Sequence, residues 1–231
     1  QPWIQIDRAV AGNELELLQQ SREAWQIWDL ARQIQSPSFS ATSHTDPVSQ
    51  PPTYTIYEWW CFQQLVKVIS TLADGEPLWN EKDPKGQRIE QGSTVSWKIG
   101  GSVLQLHYNM RFSAFWERQP QQPYSVVGEQ RPDFVLIYQQ RWLVLDAKYR
   151  TTRVNVLDAF RSAFSYLESL RLPTCDSRAS GCFLLSPKML LESQQWFQPK
   201  FHRDNHFGVL ECAPSKSVLA LTNCIRENLK L

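Results

Sequence analysis

A chain of 231 residues with 42% hydrophobic and 20% charged content has the balance of an ordinary soluble globular protein, with room for one domain of roughly 150 to 180 residues plus an extension. A formal net charge of +1 excludes any argument from global basicity, so nucleic-acid binding would have to rest on a local patch or on a partner's surface. Nothing resembles a membrane span or a signal peptide, and the five cysteines form no C-x-x-C pair, so the expectation is a cytoplasmic protein with reduced core thiols and neither a disulfide framework nor a zinc site. The chain opens on Gln1, which fits an excised domain or part of a longer protein.

In chain order, Asn13 is placed to cap a helix running to about Ile34, with acidic residues in its first turn and Leu18, Trp25 and Trp28 near one face. Residues 35–53 are polar and proline-bearing and predict a mobile linker. The boundary between an N-terminal helical arm (1–53) and the main domain (54–231) is expected there. A helix from about Tyr57 to Leu72 follows, with Phe62, Leu65, Ile69 and Leu72 on one stripe and Glu58 on the same stripe one turn earlier. A carboxylate on a buried stripe is either functional or a first-turn acid favoured by the helix dipole.

Residues 73–93 read as a loop in which Lys82, Lys85 and Arg88 are solvated cations or phosphate contacts. Strands are predicted over Thr94 to Ile99 and Val103 to Tyr108, turning at Gly100-Gly101, and Tyr124 to Val127 leads towards Arg131-Pro132-Asp133. Phe134 to Tyr138 and Trp142 to Ala147 are apolar strands joined at Gln139-Gln140. A two-residue hairpin loop there pairs Tyr138 with Arg141 and sets Asp133 opposite Asp146, at a Cα separation of about 5 Å. Two carboxylates so close repel unless a cation lies between them. Period-two alternation adds Lys148 to the face of Asp146, with Ala147 on the other. Hard oxygen ligands suit a magnesium-type ion that also binds substrate phosphate, and a nearby lysine can hold an attacking water or stabilise pentacovalent charge. The alternative is that these charged groups merely begin and end two strands as solvated residues.

Downstream, Thr152 to Leu170 reads as a helix with Val156, Phe160, Ala163, Phe164 and Leu167 inward. Arg150, Arg153 and Arg161, with Tyr149 among them, form a row suited to a nucleic-acid backbone, or else a solvated edge of paired arginines. Cys182 to Leu185 and Gly208 to Cys212 predict further strands, and Lys216 to Lys230 a closing helix. His202 and His206 are expected on a loop as ordinary surface residues. Most of the ten tryptophans, Trp59, Trp60, Trp97 and Trp142 among them, are expected in the core rather than as base-stacking platforms. No Gly-x-Ser-x-Gly elbow and no P-loop is present, so any NTP-driven motor would be another chain or domain.

The ordered set Ile56-Tyr57-Glu58-Trp59-Trp60, Leu106-His107-Tyr108-Asn109, Arg131-Pro132-Asp133 and Leu145-Asp146-Ala147-Lys148-Tyr149-Arg150 resembles the PD-(D/E)xK nuclease superfamily. More narrowly it is similar to the nuclease subunit of McrBC-type modification-dependent restriction systems, over about residues 54 to 214. The resemblance implies an α/β, restriction-endonuclease-like mixed sheet with an αβββαβ core flanked by helices. It also implies that Asp133 and Asp146 are ligands of Mg2+, with Mn2+ able to substitute, that the carbonyl of Ala147 joins them, and that Lys148 acts on the attacking water or the transition-state charge. Glu58 becomes the acid of the first core helix. The helix at Leu157-Asp158-Ala159-Phe160-Arg161-Ser162-Ala163 departs from the family, matching at Ala159, Arg161 and Ala163 but lacking its histidine, tyrosine and second aspartate.

The expectation is therefore a magnesium-dependent endonuclease for DNA in a restriction or defence complex, with an NTPase motor or specificity subunit as partner and an oligomer not excluded. The rivals are a non-catalytic nucleic-acid-binding or assembly module on the same fold, and a nuclease for RNA or for a CRISPR or transposition machine.

Overall fold

The computed structural model describes residues 53–73, 75–79, 92–149, 153–175, 178–189, 191–213 and 216–231. The helix expected from Asn13, the linker as far as residue 52, and the cations Lys82, Lys85, Arg88 and Arg150 lie outside them. In chain order the elements are α1 (Thr53–Ala73), β1 (Leu78–Trp79), β2 (Thr94–Ile99), β3 (Ser102–Tyr108), β4 (Ser113–Ala114), β5 (Tyr124–Ser125), β6 (Phe134–Tyr138), β7 (Arg141–Ala147), α2 (Arg153–Ser169), β8 (Leu170–Arg171), β9 (Cys182–Ser186), α3 (Pro199–Asn205), β10 (Phe207–Glu211) and α4 (Leu219–Leu229). Short 3-10 helices occupy Phe115–Glu117 and Leu191–Phe197.

Seven strands form one sheet in the order β1-β2-β3-β6-β7-β9-β10, and β4-β5-β8 form a small second sheet. Hairpin-linked runs make the first part antiparallel up to β7, after which α2 carries the chain to β9, parallel to β7, and β10 lies parallel to β9. Taken in sequence, α1, β3, β6, β7, α2 and β9 give the αβββαβ order, with β1 and β2 extending one edge and β10 the other. The β2–β3 turn uses Gly100 and Gly101 at φ 53° and 82°, consecutive left-handed positions that glycine takes without a Cβ clash.

Period-two alternation builds both faces of the sheet. Phe134, Leu136, Leu143, Leu145 and Ala147 pack with Tyr57, Cys61, Phe62, Leu65 and Ile69 of α1 and with Leu221 and Ile225 of α4. Val135, Trp142, Val144, Cys182 and Leu184 pack on the other side with Ala159 and Ala163 of α2. Strand β7 is thus covered on both faces, which explains its unbroken apolar run. Each fully buried large side chain contributes about 1.5–3 kcal/mol, so a charged residue inside this strand stands against a strong preference.

Several expectations are corrected. The helix α1 begins at Thr53, so Glu58 lies beyond the first turn, where the helix dipole has little hold on it. Phe164 does not face the core: it is 54% exposed, edge-on to Phe207, because Ala159 and Ala163 already fill the inward stripe. Of Tyr124 to Val127 only the first two residues form a strand, in the small sheet, and Val126 and Val127 are exposed. His202 lies in helix α3 rather than a loop, since Pro199 starts a helical turn there and His206 ends it at φ 58°. The closing helix starts at Leu219, not Lys216.

Candidate active site

The β6–β7 hairpin has the expected register. Gln139-Gln140 forms the loop, Tyr138 pairs with Arg141, and the ladder runs to Phe134 opposite Leu145, so one further step sets Asp133 opposite Asp146. Gln139 adopts φ 54°, the positive φ that tight hairpin turns demand. Asp133 is tied in twice. Its carbonyl accepts the Asn109 N–H at 2.8 Å, and its Oδ2 accepts the Ala147 N–H at 2.7 Å, joining the start of β6 to the end of β7.

Asp146 points the other way from the apolar residues flanking it and is only 1% exposed, on a strand between β6 and β9. Among the described residues no donor is aligned for a hydrogen bond with either of its oxygens. Its contact is the Lys148 ammonium, 2.5 Å from Oδ2, an ion pair outside hydrogen-bond alignment. Burying a carboxylate without hydrogen bonds costs several kcal/mol. Lys148 is oriented by its own backbone, whose N–H donates to the Leu185 carbonyl at 2.8 Å and continues the β7–β9 ladder past the last strand residue. Its side chain keeps 24% exposure against 1% for Asp146, so the lysine is the solvent-facing member of the pair.

Glu58 approaches from α1. The Tyr108 hydroxyl donates to its Oε2 at 3.3 Å, and Tyr108 pairs with Phe134, the residue after Asp133, so the helix acid comes to the same end of the sheet. Burial pushes the Glu58 carboxyl above the ordinary glutamate value against the Tyr108 hydrogen bond and the Lys148 charge, with the Asp146 charge adding to the rise. Burial, followed by the Asp146 charge, raises Asp133 well above the usual aspartate range. For Lys148 burial opposes the charge, yet Asp146, Asp133 and Glu58 together hold its ammonium above the ordinary lysine value. The four side chains therefore act on one another as a single electrostatic group.

Two contributors escaped the sequence reading. Tyr166 of α2 is half-buried and packs against the cluster of Val135 and Val144, on the side of the sheet to which the aspartates point, and after burial the charges of Asp146 and Asp133 raise its hydroxyl pKa. Its position three residues after Ala163 on the inward stripe was the available signal. Gln130 joins the approach to Asp133 to α2, donating from Nε2 to Ser165 Oγ at 3.1 Å and accepting from Ser169 Oγ at 2.8 Å. The basic row is not assembled among the described side chains. Arg161 is exposed and 3.5 Å from Asp158, Arg150 lies outside the described residues, and so does the side chain of Arg153. Arg131 instead shares Glu129 with Arg111, at 3.0 and 2.6 Å. His202 is a packing residue, its Nε2 2.8 Å from the Trp196 carbonyl and its ring edge-on to Phe183.

Among the described residues no group of three or more His, Cys, Asp or Glu closes around a common point. Asp133 and Asp146 nonetheless fit a magnesium-type ion, which takes one or two protein carboxylates and keeps several waters. The two Asp146 oxygens, buried and with no aligned hydrogen-bond donor among the described residues, are the observation that supports the fit.

A model of the family described as the PD-(D/E)XK nuclease superfamily matches residues 55–187, more than half of the chain, from the turn of Glu58 through β9. The match includes Asp133, Asp146 and Lys148 and does not bear on the narrower likeness to McrBC-type nucleases. No curated protein matches the chain.

Proposed function

Because the chain belongs to the PD-(D/E)XK nuclease superfamily, we propose that it is a divalent-metal-dependent endonuclease that hydrolyses DNA phosphodiester bonds, within a restriction or defence complex that includes an NTP-driven motor or specificity subunit. The observation that carries this reading is Asp146, a carboxylate buried inside a central strand, whose oxygens have no aligned hydrogen-bond donor among the described residues and which is paired with the ammonium of Lys148. A module without turnover gains nothing from that arrangement, since exchanging a buried ionic group for well-packed apolar residues is often neutral or stabilising.

In this reading Asp133 and Asp146 hold Mg2+, or Mn2+ in its place, with the Ala147 carbonyl and Glu58 completing the set. The ion, when bound, polarises the scissile phosphate and lowers the pKa of its water. The chain's own residues do the rest. The Ala147 N–H fixes the Asp133 carboxylate across the hairpin, and Lys148, at the exposed side of the pair, positions the attacking water and offers positive charge where charge builds in the transition state. Tyr108 holds Glu58 towards the site.

Plasmid incubated with the protein, and with any partner it requires, in Mg2+, Mn2+ or EDTA tests the proposal. Nicking or linearisation is expected with either metal and none in EDTA. Cleavage undiminished by EDTA would contradict it.

A further inference from the structure

The small β4-β5-β8 sheet carries a cleft of about 440 Å3, lined by Arg118, Tyr124 and Arg171, by Gln119, Gln121 and Gln122, and on its apolar side by Pro120, Leu172 and Pro173. It is anchored to the main sheet through Phe112, which stacks on Trp142 at 5.8 Å, and through Leu170 and Leu172 in the same cluster as Val135 and Val144. Those valines lie two residues from Asp133 and Asp146 on their strands, so the cleft stands on the side of the sheet to which both aspartates point.

Its chemistry is one-signed. No carboxylate lines it, and among the described residues none pairs with Arg118 or Arg171. The Arg118 guanidinium is held 4.4 Å from the Phe115 ring centre and 4.7 Å from that of Tyr124, so its planar fork is ordered before any ligand arrives. Arg171 donates from one nitrogen to the Leu170 carbonyl at 2.8 Å and has further N–H groups to offer. Two residues before Arg118 in the chain, in the 3-10 turn that leads into the cleft, Trp116 is 70% exposed and is the one described tryptophan that the core expectation misses by a wide margin. Cationic forks suit phosphate oxygens, amides can both donate to and accept from base edges, and an open indole gives a base something to stack on.

We propose that this cleft is a second nucleic-acid contact, gripping an unpaired stretch of the substrate strand by its phosphates on Arg118 and Arg171, with a base stacked on Trp116. It rests on the nuclease reading for what the bound strand is used for, though not for whether a strand binds. An acidic protein segment would satisfy the arginines but would leave the amides and the indole without a role.

The test is binding of a labelled oligothymidylate to the full chain in EDTA across a salt series, for the parent, Arg118→Ala/Arg171→Ala and Trp116→Ala, with melting curves for each. Removing both arginines is expected to weaken binding by roughly tenfold or more, on the scale of a charge-assisted hydrogen bond, and to lower the salt slope by about 0.7 per arginine. Trp116→Ala is expected to weaken binding while leaving that slope unchanged. Parent-like binding by the double arginine variant would overturn the proposal, as would a parent that binds no oligothymidylate, or polyglutamate bound as tightly with the same arginine dependence. Cleavage with Mg2+ on the same preparations separates the two readings: a chain that binds through the arginines but never cleaves keeps this site and loses the nuclease, and one that cleaves with arginine-independent binding does the reverse.

Discussion

Among single residues the most exposed to test are those whose protonation the site alters. Asp133 and Glu58 have carboxyls raised by burial, so in the metal-free protein they hold their protons more tightly folded than unfolded. Such groups contribute stability fully below the unfolded carboxyl pKa of about 4, and that contribution is lost as pH rises through the raised folded values. Asp133→Asn keeps an acceptor for the Ala147 N–H and removes the titration. In EDTA its melting temperature is expected to gain on the parent's as pH rises from the acid range towards neutrality, and Mg2+ is expected to shrink the gap by stabilising only the parent. A gap independent of pH would show that Asp133 is not the strained acid described here. Glu58→Gln is expected to keep the fold and to gain on the parent's melting temperature with rising pH in the same sense, while weakening metal binding or cleavage. Cleavage at the parent rate would leave Glu58 with its Tyr108 hydrogen bond as its whole role.

Of the elements, the β6–β7 hairpin was the most legible in the sequence, because its two strands carry apolar runs on either side of two glutamines, and side-chain alternation then leaves no freedom of register. That register alone is enough to set Asp133 opposite Asp146. Elements whose ends or partners depend on tertiary packing were less legible. The strand at Tyr124 pairs with Arg171, 47 residues on, and no local pattern announces it. The histidine segment looks like a loop in the sequence because Pro199 and Gly208 flank it, whereas Pro199 sits in the first turn of α3 and Gly208 allows β10 to pass under the His202 ring. A Cβ at Gly208 would collide with that ring and press on the Trp196 carbonyl at 3.0 Å. Gly208→Ala is accordingly expected to destabilise the fold by about 1–3 kcal/mol, the usual cost of overpacking, as read by urea unfolding. A neutral result would mean that α3 is free to move away from the sheet.

For the whole molecule, the αβββαβ order places four charged side chains from α1, β7 and the ends of β6 and β7 at one end of a sheet whose central strands are otherwise mostly apolar on both faces. Net charge gave no hint of this, since the basic groups that matter are local. The central claim is a division of labour, with Asp146 holding the ion and Lys148 acting on the barrier. Loss of a group that acts in the transition state commonly costs about 3 kcal/mol or more, with binding largely spared. The most direct measurement is calorimetric titration with Mg2+ or Mn2+ of the parent, Asp146→Ala and Lys148→Ala, paired with single-turnover cleavage on the same preparations. Asp146→Ala is expected to lose metal binding and cleavage together, and Lys148→Ala to bind metal while cleaving at least about a hundredfold more slowly. Metal binding and cleavage at parental levels in both variants would contradict the site.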